Sequence, residues 1–349
     1  MTTPLDALER SLLTPAHLEL IQRVDALVDQ AVLPRVAHYD ETGEAPWEDI
    51  AAIHEQGWLL AALDKQYGGL GYGIAGDDVL ALYLLIEHLG RASASTAHCF
   101  QVHNHTLQMV SVLATAEQRE RWLRPTRERA ALLVGAGAEP AGHPQTKAVR
   151  VAGGYRLRGA KHYATNATMA DWIWCPAAPD DVGGGSLMFM IRRDAPGLEI
   201  DASVWAPAGM RSCISPTLTL EDCFVPDEDI LGRPGDWQNG HWLGQFNLGF
   251  ATNYLGNAQG MYDWLIQYVR DRGAGTDPFR QAAVGELKTS IDAARLVVYH
   301  TALLFKVDIH RALLGSLQAK WLAQEALGKI IRLGGVLRYP ATHPLPGQG

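Results

Sequence analysis

Residues 155–176 read YRLRGAKHYATNATMADWIWCP, and their texture decides the fold. Tyr155 to Thr165 and Trp172 to Pro176 have the length of strands, and turn formers set them off, among them Gly153, Gly154 and Gly159. Leu187 to Ile191 and Thr217 to Val225 repeat the pattern, so residues 129–236 read as a small β domain.

Working outward, both flanks are helical. On the N-terminal side, Thr14 and Pro15 spell a cap and a first-turn proline. Leu18, Ile21, Val24, Leu27, Val28, Ala31 and Val32 then fall on a 3.6-residue stripe. Pro46 opens a second helix that Gly57 closes, Asp77 to Leu89 and Ser93 to Leu113 give two more, and Thr115 with Gln118 spells a capping box for another. Residues 1–128 therefore read as an all-helical domain. On the C-terminal side, Gly240 to Arg272, Pro278 to about Ile309 and Ala312 to Leu333 are long helical stretches joined by short turns. Asp277 and Pro278 start one of them, and Gly334 and Gly335 are expected to end the last. Residues 237–349 read as an antiparallel helix bundle. The fold class is mainly α with a central β domain, and because strands and helices do not alternate it is not a doubly wound sheet.

Composition narrows the function. At 349 residues and 47% hydrophobic the chain is too apolar to be disordered, and a formal charge of −8 offers nothing to nucleic acid or to an anionic membrane surface. The longest apolar run, Val79 to Ile86, is far short of the roughly 20 residues a membrane span needs. Met1 to Arg10 carries Asp6 and Glu9 and no basic segment ahead of an apolar core, so no secretory signal is expected and the location is read as cytoplasmic. Cys99, Cys175, Cys213 and Cys223 lack CxxC spacing, which predicts reduced thiols and no metal site.

Groups that could carry chemistry are few. Gly68 to Gly73 lacks the Lys-Ser/Thr of a phosphate loop and reads as a tight connection between helices. His103 and His105, two apart on a predicted helix, point about 200° apart and cannot grip one metal. One of them faces inward, either as a hydrogen-bonded core histidine or as the wall of a ligand cavity. Tyr163, Trp172 and Trp174 beside Thr165 and Asn166 have the composition expected around a flat aromatic ligand.

Five separate stretches then match one family in order. They are Tyr67 to Gly73, Ala138-Glu139-Pro140-Ala141-Gly142, Lys161 to Asn166 with Ala170-Asp171-Trp172, Gly209-Met210-Arg211 with Phe224-Val225-Pro226, and Leu255 to Gln259. On these the chain resembles the acyl-CoA dehydrogenase superfamily of flavoproteins. The resemblance implies a helical domain, a middle β-barrel domain and a helix bundle, with a flavin between the last two. It implies FAD, or FMN if the chain belongs to the oxygen-activating branch described below. Tyr163 would cover the ring, Thr165 would meet its N5 edge as a donor, and backbone at Gly137 or Ala138 would replace the contact of a threonine that Ala138 displaces. Arg272 would pair with the pyrophosphate of an adjacent subunit's cofactor, or else be an exposed helix-end arginine. Gln281 would contact the same cofactor, and Gly334 and Gly335 would admit its adenosine portion, although Ile331 stands where the family has a glutamine. Shared cofactor sites imply a homodimer or homotetramer.

Three departures bear on the reaction. The family's catalytic glutamate sits either at positions that are Phe246 and Asn247 here or in a loop beyond Gly349, and His143-Pro144 stands where the family's CoA-contacting serine would be. The chain therefore reads as a truncated or shortened member. One expectation is an FAD-dependent oxidoreductase acting on the CH–CH group of an acyl-CoA, with an electron-transfer partner. The second is a flavin-dependent monooxygenase similar to dibenzothiophene monooxygenase, fed by a flavin reductase and acting on a hydrophobic or aromatic compound, with His103 and Asn247 as catalytic donors. The third is a non-catalytic flavin-binding subunit.

Overall fold

A computed structural model of the chain describes residues 12–338. The readings made for Met1 to Arg10 and for residues 339–349 lie outside the described residues.

The first helices form where capping chemistry places them. α1 (Pro15–Leu27) starts at Thr14, whose hydroxyl accepts from the His17 amide at 3.2 Å while His17 Nδ1 accepts from the Thr14 amide at 3.3 Å. α2 (Val36–Thr42) ends at Gly43 in the left-handed region, and α3 (Trp47–Glu55) follows Pro46. α4 (Val79–Ala92), capped by Asp78, is buried on nearly every face. α5 (Ala94–Leu113) is capped by Ser93, and α6 (Ala116–Arg129) starts at the Thr115–Gln118 capping box.

The middle of the chain forms one curved sheet. Its strands are β1 (Leu132–Gly135), β2 (Lys147–Val151), β3 (Gly154–Lys161), β4 (Ala170–Pro179), β5 (Leu187–Arg192), β6 (Leu198–Asp201), β7 (Thr217–Pro226) and β8 (Ile230–Leu231). They run in the order β6-β7-β3-β2-β4-β5-β8, with β1 laid parallel to β4 so that Gly135 pairs with Trp174. β3 stops at Lys161 rather than continuing to Thr165, because Tyr163 (φ 58°) and Asn166 (φ 76°) leave the extended region.

After a short helix α7 (Asp236–Asn239) come three long ones: α8 (Trp242–Asp271), α9 (Pro278–Leu304) and α10 (Ile309–Arg338). α10 runs straight through Gly334 and Gly335, so the glycine pair does not end the helix as the sequence suggested. Glycine costs a helix only about 1 kcal/mol relative to alanine, which packed neighbours easily outweigh. No helix of the described residues is long and apolar enough to cross a membrane.

α8 is pressed against the N-terminal domain at backbone contact. A Cβ on Gly256 would collide with the carbonyl oxygen of Glu87, one on Gly260 with that of Arg91, and one on Gly249 with the side chains of His105 and Gln101. Beside this seam lies a buried ionic cluster. Arg295 on α9 donates to Glu87 on α4 at 2.9 Å and to Gln259 on α8 at 2.8 Å, and Tyr299 donates to the other Glu87 oxygen at 2.9 Å. Burial alone would push the Glu87 carboxyl up, but Arg295 and the hydrogen bonds hold it below its ordinary value.

The seam gives a direct test. Gly256→Ala is expected to cost about 1–3 kcal/mol by overpacking. Gly285→Ala, on the exposed face of α9 with no atom near the new methyl, is expected to gain about 1 kcal/mol from helix propensity. Urea midpoints of the two variants moving in the same direction would contradict the packing described.

Candidate active site

A cavity of about 530 Å³ opens where the β4 side of the sheet faces the first half of α8 and one face of α5. α5 contributes His98 and Val102; the end of β1 and its loop contribute Gly135, Gly137 and Ala138; the exit of β3 contributes His162, Tyr163 and Thr165. Trp174, Trp205, Trp237, Phe246, Phe250 and Tyr254 supply most of the remaining wall, with Gly209, Met210, Cys213 and Ser215 along one edge. No Asp, Glu, Lys or Arg is among these lining residues.

Each wall has an identifiable anchor. Lys161, at the end of β3, is fully buried and ion-paired with Glu139. Partial burial pushes the Glu139 carboxyl up, and the hydrogen bond and charge of Lys161 more than reverse this. The pair pins the 136–140 loop beside the exit of β3, where the His162 amide donates to the Ala138 carbonyl at 2.7 Å. On the opposite edge, Arg211 donates to the carbonyls of Asp40 and Glu41 at 3.0 and 3.1 Å and so ties the 205–215 segment to the end of α2. Asn166 donates to the Cys99 carbonyl at 2.8 Å, which fixes the turn carrying Thr165 against α5.

Three features look prepared for a flat ligand. Tyr163 is 67% exposed while held at positive φ, an uncommon conformation that turns a large ring outward at the cavity mouth. The Trp174 ring lies 4.6 Å from that of Trp237, and its buried indole N–H has no hydrogen-bond partner among the described residues. At Gly209 a Cβ would meet no atom within 4 Å, so the backbone there borders open space. The hydroxyls of Thr165 and Ser215 lie 2.7 Å apart, His98 Nε2 is 3.4 Å from Thr165 Oγ1, and Ser215 donates to the Cys213 carbonyl at 2.8 Å. His98 stacks on Phe250 with ring centroids 5.4 Å apart, and burial lowers its pKa to about 4, so the imidazole is neutral at pH 7.

Of the residues singled out in the sequence, Gly137, Ala138, Tyr163 and Thr165 come together in this wall. His103 does not reach it. Its Nδ1 accepts from the Leu133 amide at 2.8 Å, its Nε2 therefore donates to the Leu59 carbonyl at 2.7 Å, and with both nitrogens committed to backbone it is a core tie between the helical domain and β1. Asn247 also points elsewhere: its oxygen accepts from Lys320 on α10 at 3.2 Å, while its neighbour Phe246 faces the cavity. Arg272 sits 18 residues beyond Tyr254, about 27 Å further along α8, with its guanidinium 4.7 Å from the Tyr268 ring centre. Gln281 donates to the Gly275 carbonyl at 2.8 Å in the same corner. Gly334 lines a separate cavity of about 510 Å³ with Trp264, Met261, Gly260 and Arg91. Gly335 is the next residue of that helix. Among the described residues no group of three or more His, Cys, Asp or Glu side chains could hold a metal ion.

Sequence reasoning missed His98, Ser215 and Trp237. For His98 a signal existed: counting from the Ser93 cap, His98 and Val102 share a face, and His103 lies about 140° around the helix from His98. Trp237 sits on a one-turn helix that carries no periodicity to read.

A three-part chain with an aromatic, uncharged cavity between sheet and bundle has the architecture of a flavin-dependent oxidoreductase. Residues 14–129 match the family described as acyl-CoA dehydrogenase, N-terminal domain; residues 135–223 match its middle domain; residues 248–334 match its C-terminal domain. The chain belongs to the acyl-CoA dehydrogenase family. It is 27% identical over 348 residues to the short-chain specific acyl-CoA dehydrogenase of Clostridium acetobutylicum, covering 93% of this chain and 89% of the relative. It is 28% identical over 333 residues to the cyclohex-1-ene-1-carbonyl-CoA dehydrogenase of Geobacter metallireducens, covering 91% and 86%. Among solved structures, glutaryl-coenzyme A dehydrogenase in complex with glutaryl-CoA superimposes with a TM-score of 0.84 at 22% identity, covering 93% of this chain and 85% of that one. TdsC from Paenibacillus sp. A11-2 with FMN and indole gives 0.80 at 21% identity, covering 94% and 88%.

The depressed pKa of His98 has a thermodynamic consequence. Between its ordinary value near 6.5 and about 4, the unfolded chain binds a proton there that the folded chain does not, so this histidine's contribution falls as the pH drops through that window. Replacing it by a non-titrating residue, His98→Gln, is expected to flatten the pH dependence of stability by up to about 1.4 kcal/mol per pH unit. Urea unfolding of both proteins from pH 7 to pH 5 measures this. Parallel curves would show that His98 titrates normally.

Proposed function

We propose that the cavity holds the ring system of FAD and that the chain oxidises the CH–CH group of an acyl-CoA-like substrate. The observation that carries the reading is the outward-turned Tyr163 ring facing a wall of tryptophan and phenylalanine, with Thr165 and the unpartnered Trp174 N–H beside it. Such a slot suits a planar ring with polar edges. Bound flavin would supply a two-electron acceptor.

The chain's own residues would do the rest. Tyr163 covers the ring, Thr165 meets its edge, backbone at Gly137 and Ala138 approaches without side-chain obstruction, and the aromatic wall excludes water. Arg272, Gln281, Gly334 and Gly335 would hold the pyrophosphate and adenosine ends of a cofactor shared with an adjacent chain, because Arg272 lies at the far end of α8 from the cavity of its own chain and neither Gln281 on α9 nor Gly334 on α10 lines that cavity. The exposed Leu314, Leu317 and Trp321 of α10 support a second copy packing there. In this reading the enzyme is a cytoplasmic homodimer or homotetramer that passes electrons to a partner protein.

One observation favours a second reading, a flavin-dependent monooxygenase using FMN or FAD and served by a flavin reductase. Among the described residues the wall has seven Trp, Tyr and Phe rings and no carboxylate to remove an α proton, and the TdsC structure with indole shares the fold. In that case a hydrophobic or aromatic compound is the substrate. His98 and His162 line the cavity, whereas His103 and Asn247 do not.

The readings separate in one experiment. Protein loaded with FAD is mixed without oxygen with short-chain, branched and cyclic acyl-CoAs, and bleaching of the oxidised flavin is the expected result. No bleaching, together with oxygenation of indole when reduced flavin and oxygen are supplied, would favour the second reading, and failure to bind any flavin would contradict both.

A further inference from the structure

Behind the inner wall of the cavity lies a group of buried polar atoms with no hydrogen-bond partner among the described residues. They are the Tyr83 hydroxyl on α4, both ring nitrogens of His105 and the Thr106 hydroxyl on α5, and the Gln245 amide nitrogen on α8. Phe246 separates them from the cavity. Its ring lines the cavity on one side and lies 4.9 Å from the His105 ring on the other, and the His105 ring is 6.4 Å from that of Tyr83. Thr106 Oγ1, Phe246 Cζ and Trp174 Cε3 surround the point where a Cβ on Gly135 would stand, at 3.3, 3.8 and 3.6 Å. Gln245 shares a helix face with Gly249, the residue against which His105 packs. All four side chains are at most 1% exposed, and an unpaired donor or acceptor at that depth costs stability, so such groups are rare unless something pairs with them.

The donor set defines what fits. Burial lowers the His105 pKa to about 3, so the neutral ring offers one N–H and one lone pair. The two hydroxyls donate or accept, and the Gln245 nitrogen donates. His98, itself neutral, is the titratable group whose field reaches His105. A carboxylate or an ammonium would enter this place without a counter-charge, whereas an uncharged polar group finds both donors and acceptors.

We propose that Tyr83, His105, Thr106 and Gln245 form a recognition pocket for an uncharged hydrogen-bonding group, a hydroxyl, carbonyl or amide, at the far end of the substrate, with the Phe246 ring as its door. The inference rests on the functional reading above and adds the substrate's class, a polar-ended acyl group in place of a plain hydrocarbon. The cavity beside Phe246 gives its ring room to swing to another staggered rotamer. A hydrocarbon end would leave the four side chains unpaired, and a site built to hydrogen-bond a substrate group discriminates strongly against the analogue that lacks it.

The test uses matched pairs, butanoyl- to hexanoyl-CoA with and without a terminal hydroxyl, mixed anaerobically with FAD-loaded protein while bleaching is followed. The hydroxylated member of at least one pair is expected to half-saturate at a concentration about tenfold lower or more. Tyr83→Phe and Thr106→Val, which keep shape and delete a hydroxyl, are each expected to shrink that ratio. A wild-type protein that treats the members of every pair alike or favours the plain chain would overturn the proposal, as would a ratio that both variants leave intact. A second readout needs no flavin. Removing a hydroxyl that has no partner leaves the urea midpoint of the ligand-free protein unchanged or raised in Tyr83→Phe, and a lowered midpoint would overturn the proposal. If no acyl-CoA bleaches the flavin, the dehydrogenase reading fails, and the urea midpoints then decide the pocket by themselves.

Discussion

The backbone-to-backbone approach of α8 to the N-terminal domain is the constraint on which the site depends. Gly249, Gly256 and Gly260 let one helix lie against the carbonyls of α4 and the side chains of α5 with no Cβ between them. That contact fixes how far the first half of α8 stands from the sheet, and hence the width of the slot between Phe246 and Phe250 on one side and Trp174 on the other. The Glu87–Arg295–Tyr299–Gln259 cluster holds α9 in the same arrangement. Breaking such a buried set by removing one charge typically costs 3–5 kcal/mol, because the partner is stranded, so the cluster also discourages alternative packings.

Around the cavity, charge has been kept out of the wall and placed behind it. The Lys161–Glu139 pair and Arg211 anchor loops from outside, leaving rings, glycine backbone and a few hydroxyls to face the ligand. The three histidines of α5 illustrate how burial assigns different roles to one residue type. His98, His103 and His105 are all held neutral by burial, with pKa values lowered to about 4, 4 and 3. His103 ties two domains through backbone bonds, His105 packs its ring 4.9 Å from Phe246, and His98 alone reaches the wall.

Much of the fold was legible because it is written in local chemistry. Thr14, Ser93 and Thr115 cap helices through their own side chains, and the strand-length runs around Tyr155 and Leu187 lie between turn formers, so these elements declare themselves. β2 and β6 did not: Lys147–Val151 and Leu198–Asp201 are short and charged on their exposed face, and their pairing with β3 and β7 supplies what their sequence lacks. At the site, Tyr163 and Thr165 could be singled out because they sit inside a motif. Ser215 could not, since its contact with Thr165 joins positions that only the folded chain brings together, and His98 was legible only through the helix phase set by the Ser93 cap. His103 misled for the complementary reason. A histidine on a helix says nothing of which face it occupies until the helix is phased.

The central claim, that the aromatic slot between sheet and bundle is a flavin site, is tested most directly by titrating the protein with FAD while following tryptophan emission and acrylamide quenching. Saturable quenching at one flavin per chain, with the cavity tryptophans becoming less accessible to acrylamide, is the predicted result. FAD that leaves the emission unchanged, or binds without shielding those tryptophans, would contradict the account.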